Sequence, residues 1–154
     1  MNLSLSSDFL RAKFSPDALT RREVHAIARV AYLTAGIDFL EDDAERRTLD
    51  EIGDQLWSLS GLPREPIEPV SPLPMDDEER RWRIEELAGQ LTSRRARELA
   101  YVYAYLLVVS DLQLARVEGR FLDDLQRALM IEDDRAAELA ATSAEQVTPD
   151  GPQP

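Results

Sequence analysis

Two matched pairs of carboxylates are the residues of this sequence whose type and spacing could do chemistry. Asp38 is followed seven positions later by Glu45, and Asp111 is followed seven positions later by Glu118. Four carboxylates brought together would repel one another, and a hard divalent cation such as Ca²⁺, Mg²⁺ or Mn²⁺ would relieve that repulsion through oxygen ligands. Because the chain has no cysteine and one histidine, a thiolate or multi-histidine metal site is excluded.

Helix capping is the structural alternative for these four acids. Asp42 and Glu45 have the spacing of a capping box, and a glutamate in a first helical turn also interacts favourably with the helix dipole. Capping is therefore the favoured interpretation of Glu45 and Glu118. Asp38 and Asp111 follow apolar helical patterns, and an acidic residue at the C-terminal end of a helix is electrostatically unfavourable unless it contacts something. These two aspartates are the stronger candidates for cation ligands.

The two acid pairs belong to an internal repeat with an offset of 73 positions. The same offset relates Ala31 to Ala104, Tyr32 to Tyr105, Leu33 to Leu106, Arg47 to Arg120, Leu49 to Leu122, Asp50 to Asp123 and Leu56 to Leu129. Helical periodicity alone could align the apolar residues, but it accounts less readily for the paired Asp, Glu and Arg. We therefore predict two helix-turn-helix units, at about residues 15–60 and 93–130, packed about an approximate two-fold axis.

The elements that must position these acids are helices. Apolar residues at helical spacing predict a helix from Ser15 and Pro16 to about Gly36 and others that begin near Asp42, Asp76, Ser93 and Asp133. A further helix carries Phe121, Leu122, Leu125 and Leu129. The helix after Ser93 is apolar nearly all round from Leu99 to Val109, which is typical of a helix at the centre of a bundle. No long alternating pattern indicates a strand. The sequence predicts an all-α, single-domain bundle of about six to seven helices.

Two segments lack a helical pattern. Residues 61–74, "GLPREPIEPVSPLP", hold most of the prolines in the chain and predict an extended connector over the surface, with Ile67 or Val70 docked in shallow grooves. Residues 148–154, "TPDGPQP", predict a disordered tail, which leaves residues 1–147 for the helical domain. Among the single residues, we expect Trp82 to anchor its helix and His25 to lie at the surface.

Composition limits the partners. With 30 acidic and 18 basic residues, the net charge of −12 repels nucleic-acid phosphates and anionic membrane surfaces and favours cations or basic protein surfaces. The runs "MDDEERRWR" and "SRRARE" are interpreted as solvated helix starts and not as nucleic-acid patches. No apolar run approaches the roughly 20 residues of a membrane span. We expect a cytoplasmic protein without an integral membrane segment, and a homo-oligomer is left open.

An apolar helix that ends in Asp, a short turn, and a Glu at the start of the next helix together resemble the TerB-like family of tellurite-resistance and stress proteins. The resemblance is carried by both acid pairs and covers about residues 15–147. It implies an all-helical domain with the acids in tandem halves, where they have been suggested to bind metal. The chain departs from the family pattern at Phe39 and Leu112, where most members have Gly, and at Ala115, which replaces the polar cap Asp42 in the second half.

Two hypotheses for the function follow. The resemblance and the acidic repeat favour a non-catalytic helical interaction or sensor module in a bacterial stress or tellurite-resistance pathway, with another protein as partner and a divalent cation as a candidate ligand. The alternative is an all-α metal-dependent phosphohydrolase, in which Glu51 and Asp54 would supply one carboxylate pair at helical spacing. That enzyme needs both residues in a concave pocket with further carboxylates, whereas the module has its acids at the turns between helices.

Overall fold

Six α-helices form within the residues that the computed structural model describes, which are 19–35, 43–67, 76–110 and 119–146. They are α1 (Arg21–Ala35), α2 (Asp43–Ser60), α3 (Asp77–Ala88), α4 (Arg94–Ser110), α5 (Gly119–Ala128) and α6 (Asp133–Gln146). No strand occurs in these four ranges. The prediction of an all-α bundle is confirmed for this part of the chain.

Helix α4 lies at the centre of the bundle. All of its side chains from Leu99 to Ala104 are buried, and Leu106, Leu107 and Val108 continue the buried run. Helix α1 packs most extensively against α4, and α5 and α6 contact it as well. A helix that is apolar on every face must be surrounded by other helices to remove that surface from water. The central position of α4 therefore explains the apolar run in its sequence.

Helix α1 forms the second layer of the core. It contacts α2 and α3 in addition to α4. Three consecutive residues, Ala26, Ile27 and Ala28, are therefore buried, as are Val30 and Ala31. Alanine at several of these positions allows the helix backbones to approach closely while the branched side chains fill the remaining space.

Local signals determine where several helices begin and end. The Asp76 carboxylate accepts a hydrogen bond from the Glu79 backbone N–H at 2.7 Å, and the Ser93 hydroxyl accepts one from the Ala96 N–H at 3.1 Å. Both contacts are N-caps, which satisfy backbone donors that have no partner inside the helix. Gly61 ends α2 with φ 70°, a left-handed conformation that favours glycine.

The expectation that Trp82 anchors its helix is wrong. Trp82 is 59% exposed and does not anchor α3, because Ile84 and Leu87 face the core and the position two residues before Ile84 falls on the opposite side of the helix. His25, expected at the surface, is half-buried. Its ring lies edge-on to Trp57 with 5.4 Å between the ring centroids, and its Nε2 is 2.6 Å from Glu65 Oε1.

The segment after α2 is described up to Ile67. Residues 62–67 are neither helix nor strand, with Pro63 and Pro66 exposed. Ile67 is half-buried and packs at Gly53, where an added Cβ would come within 3.1 Å of Ile67 Cδ1. Val70 and the rest of residues 68–74 lie outside the described part, as does the tail at 148–154, so the full connector, the tail and the domain limits stay predictions. None of the described helices is both long enough and apolar enough to cross a bilayer.

Candidate functional site

The predicted cation ligands fall mainly outside the described residues. Asp38, Asp111 and Glu118 lie in the ranges 36–42 and 111–118, and Glu45 belongs to the first turn of α2 with its side chain outside the described part. The prediction that these carboxylates form one cation site stays a prediction. Within the described ranges, no group of three or more Asp, Glu or His side chains is placed to hold a metal ion.

The helices on either side of these acids are described. Helix α1 ends at Ala35 and α2 begins at Asp43, while α4 ends at Ser110 and α5 begins at Gly119. In the sequence, Asp38 therefore comes three positions after a helix end, whereas Asp111 directly follows one. Glu45 lies in the first turn of the following helix, and Glu118 directly precedes one.

A buried glutamate connects the starts of α1 and α4. Thr20 and Glu23 form a reciprocal capping box: the Thr20 N–H donates to Glu23 Oε1 at 3.0 Å, and the Glu23 N–H donates to Thr20 Oγ1 at 3.1 Å. The other carboxylate oxygen, Oε2, accepts a hydrogen bond from the Ser93 N–H at 2.9 Å and one from the Thr92 hydroxyl at 3.4 Å. One side chain thus holds two helix N-termini together.

The electrostatics of Glu23 follow from these contacts. The residue is 1% exposed. Burial raises the pKa of Glu23, but the hydrogen bonds from Thr20 and Ser93 outweigh burial and hold that pKa below its usual range. The Thr-x-x-Glu spacing is a capping-box pattern that could have placed the helix start at Arg21, whereas Ser15 and Pro16, the predicted start, lie outside the described residues.

A second buried carboxylate, Glu98, joins α4 to α6. Arg135 donates two hydrogen bonds to Glu98, from Nε to Oε2 at 2.7 Å and from Nη2 to Oε1 at 2.8 Å. Arg94 Nε lies 3.3 Å from Oε2. Burial raises the pKa of Glu98, but Arg135 and then Arg94 outweigh it, so the pKa is lowered. The interpretation of "SRRARE" as a solvated helix start is therefore wrong for Glu98, which is 2% exposed.

The tyrosines of α4 serve mainly in packing, as expected. Tyr103 is fully buried and its hydroxyl donates a hydrogen bond to Gln55 Oε1 on α2. Burial raises the pKa of Tyr103. Burial also raises the pKa of Tyr101, with smaller contributions from Tyr105 and Asp123. Phenols that hold their protons this firmly act as hydrogen-bond donors near neutral pH and not as bases.

The carboxylate pair considered for a phosphohydrolase lies on the surface. Glu51 and Asp54 are both exposed on α2. Asp54 Oδ1 is 2.5 Å from Arg64 Nη2, so a surface ion pair to the segment after α2 accounts for this aspartate. No further described carboxylate joins Glu51 and Asp54 in a metal-binding group.

The outer face of α3 is the feature of the described surface that sequence reasoning missed. Trp82 is exposed there, and exposed glutamates occupy the positions three and four residues to either side: Glu78, Glu79, Glu85 and Glu86. The Arg83 guanidinium carbon lies 5.3 Å from the centroid of the Trp82 ring, and Arg83 Nη1 is 3.6 Å from Glu86 Oε2. We call Trp82 and these four glutamates the tryptophan face.

Comparisons with family models, with curated proteins and with solved structures returned no match to this chain. The resemblance to the TerB-like family therefore rests on the Asp and Glu pairs and their repeat.

Proposed function

We propose that this protein is a non-catalytic, divalent-cation-responsive interaction module of the TerB-like type, which acts in the bacterial cytoplasm in a stress or tellurite-resistance pathway. The observation that carries the proposal is the agreement in burial at many positions 73 residues apart, with Trp57 (buried) and Met130 (exposed) as a pair that differs. Pairs that are buried in both halves are Ala31 with Ala104, Leu33 with Leu106, Ile52 with Leu125 and Leu56 with Leu129. Asp50 and Asp123 are both exposed, and Leu49 and Leu122 are both half-buried.

This agreement supports the tandem arrangement. Two helix pairs with unrelated packing would both show helical periodicity, but their buried positions would not match at one constant offset. A shift of one residue rotates a side chain by about 100° around its helix. At the same sequence offset of 73, Asp38 corresponds to Asp111 and Glu45 to Glu118. The proposal therefore assigns the four acids to equivalent turns of two equivalent units.

The contact between α1 and α4 also supports a shared site. Their N-terminal ends are joined through Glu23 and Ser93, and the two helices pack extensively. A site shared by the two C-terminal ends, Ala35 and Ser110, requires helices that run side by side from these joined ends. Each of these ends leads into an aspartate of the predicted site.

The chemistry of such a site would be that of a sensor. Carboxylate and backbone carbonyl oxygens at the ends of α1 and α4 are hard ligands suited to Ca²⁺, Mg²⁺ or Mn²⁺. Apo protein would carry repelling carboxylates, and a bound cation would draw the two turns together. Because α1 and α4 form the core, a change at their ends would alter the surface that the module presents to a protein partner.

Calorimetric titration of metal-stripped protein with Ca²⁺, Mg²⁺, Mn²⁺ and Zn²⁺, combined with thermal melts, tests the cation response. A cation at 100 times its Kd should stabilise the fold by about 2.7 kcal/mol. The double variant Asp38→Asn with Asp111→Asn should lose this increment. Asp50→Asn with Asp123→Asn is the matched control, because it makes the same charge change at repeat-related, exposed positions and should retain the increment.

A wild-type melt that is indifferent to millimolar divalent cations would refute the cation response. If the acids only cap helices, the Asp38 and Asp111 variant should lose at most about 1 kcal/mol per cap, with or without metal. The phosphohydrolase stays the alternative hypothesis. Release of phosphate from nucleotides in the presence of Mn²⁺, abolished by Glu51→Gln with Asp54→Asn, would establish it in place of the module.

A further inference from the structure

We infer that the tryptophan face of α3 is a docking surface for a basic, amphipathic segment of a partner protein. The inference rests on the interaction role proposed above and names both the surface and the chemistry of the partner. It depends on the described part of α3 and is independent of the cation ligands.

The geometry of the helix surrounds the indole with carboxylates. Residues three and four positions apart are neighbours on a helix surface, so Glu78 and Glu79 lie one turn before Trp82, and Glu85 and Glu86 lie one turn after it. The opposite side of α3, which carries Ile84 and Leu87, is buried against the bundle, where α3 contacts α1 and α5. The tryptophan face is therefore directed to solvent.

An exposed tryptophan in this setting has a large apolar surface to bury. Trp82 is 59% exposed, and indole is among the side chains that contribute most when an interface covers them. Its ring already attracts a cation, since the Arg83 guanidinium lies 5.3 Å from the ring centroid. More than half of the side chain is still open to a second cationic or apolar group.

Charge identifies the partner as a basic protein segment. The four glutamates of the face add to a chain of net charge −12, which repels nucleic acids and anionic lipids. Arg81 and Arg83 flank Trp82, and Arg83 pairs with Glu86, but the four carboxylates outnumber these two cations. Lysine and arginine suit this face because their aliphatic stems can cover the indole while their charged ends reach the carboxylates.

The test uses the full chain and a short amphipathic peptide made only of leucine and lysine, which contributes no fluorescence. Of the two tryptophans, Trp57 is 4% exposed, so collisional quenching by acrylamide reports mainly on Trp82. Bound peptide should shield Trp82 from acrylamide and shift its emission to the blue. A peptide with glutamate in place of lysine should do neither, because the face repels it.

Variants assign the binding to this face. Calorimetry should show affinity for the leucine–lysine peptide reduced about tenfold or more by Trp82→Ala, and roughly fivefold by Glu78→Gln with Glu85→Gln. The matched control, Glu132→Gln with Asp134→Asn, removes the same charge from exposed positions near the start of α6 and should change affinity less than about twofold. All of these side chains are exposed, so folding, checked by circular dichroism, should be unaffected.

Equal affinity of wild type and Trp82→Ala, unchanged quenching of Trp82, or absence of binding would each overturn the docking surface. None of these results bears on the proposed cation response, which is tested separately by titration of the Asp38 and Asp111 variants. Conversely, binding that depends on Trp82 would uphold the surface even if the melts showed no response to cations.

Discussion

Removal of Arg135 should destabilise the fold far more than removal of Arg94, although both contact the same carboxylate. Arg135 makes two hydrogen bonds to Glu98, and its side chain is 23% exposed, whereas the Arg94 side chain is 66% exposed and makes one longer contact. Arg135→Met would leave the buried Glu98 with only the exposed Arg94 as a partner. Breaking a buried ion pair costs about 3–5 kcal/mol, and we expect the lower end, about 3 kcal/mol, because Arg94 stays within reach. Arg94→Met should cost no more than about 1 kcal/mol.

The free energy of unfolding should depend on pH with opposite sign in the wild type and in Arg135→Met. In the wild type the folded-state pKa of Glu98 is lowered, so the unfolded state binds the proton more tightly. The ion pair therefore contributes its full stability above the unfolded pKa of about 4.3, and this contribution is lost as the pH falls toward the folded pKa. In Arg135→Met, only Arg94 still opposes burial, and we expect the pKa of Glu98 to be raised. That variant should recover part of its stability as the pH falls from 7 to 5.

Urea denaturation followed by circular dichroism at pH 7 and pH 5 measures both effects. The double variant Glu98→Leu with Arg135→Met should be more stable than Arg135→Met alone, because it removes the uncompensated charge together with its partner. Equal losses for Arg94→Met and Arg135→Met would refute the assignment of the buried pair. So would an Arg135→Met variant that loses stability on mild acidification.

Three further predictions concern stability in urea or thermal denaturation. Leu106→Ala in the central helix should cost about 2–5 kcal/mol and Glu79→Ala should be nearly neutral, since the first side chain is fully buried and the second is exposed; equal losses would contradict the assigned core. Met130→Gly should stabilise the fold by roughly 0.5–1 kcal/mol, because Met130 has φ 57° after α5; a lower melting temperature would count against this. Glu23→Gln should cost about 1–3 kcal/mol, because an amide cannot accept all the hydrogen bonds from Thr20 and Ser93, and an unchanged unfolding midpoint would argue against this role.

The sequence alone was sufficient for the helical class and for the position of α4. The run from Leu99 to Val109 is apolar on every face, and such a helix lowers its free energy only when other helices surround it. The caps at Asp76 and Ser93 and the stop at Gly61 were also predictable, because each depends on contacts within a few residues of itself.

The tertiary structure decided which polar residues the core accepts. Glu23 is buried because Ser93, 70 positions away, donates to it, and Glu98 is buried because Arg135, 37 positions away, pairs with it. Helical periodicity gives the face on which a residue lies but not the element that covers that face, so a charged residue predicted to be solvated can be buried by a partner from a distant helix. Trp82 shows the reverse case: a large apolar side chain is left in solvent because Ile84 and Leu87 orient α3.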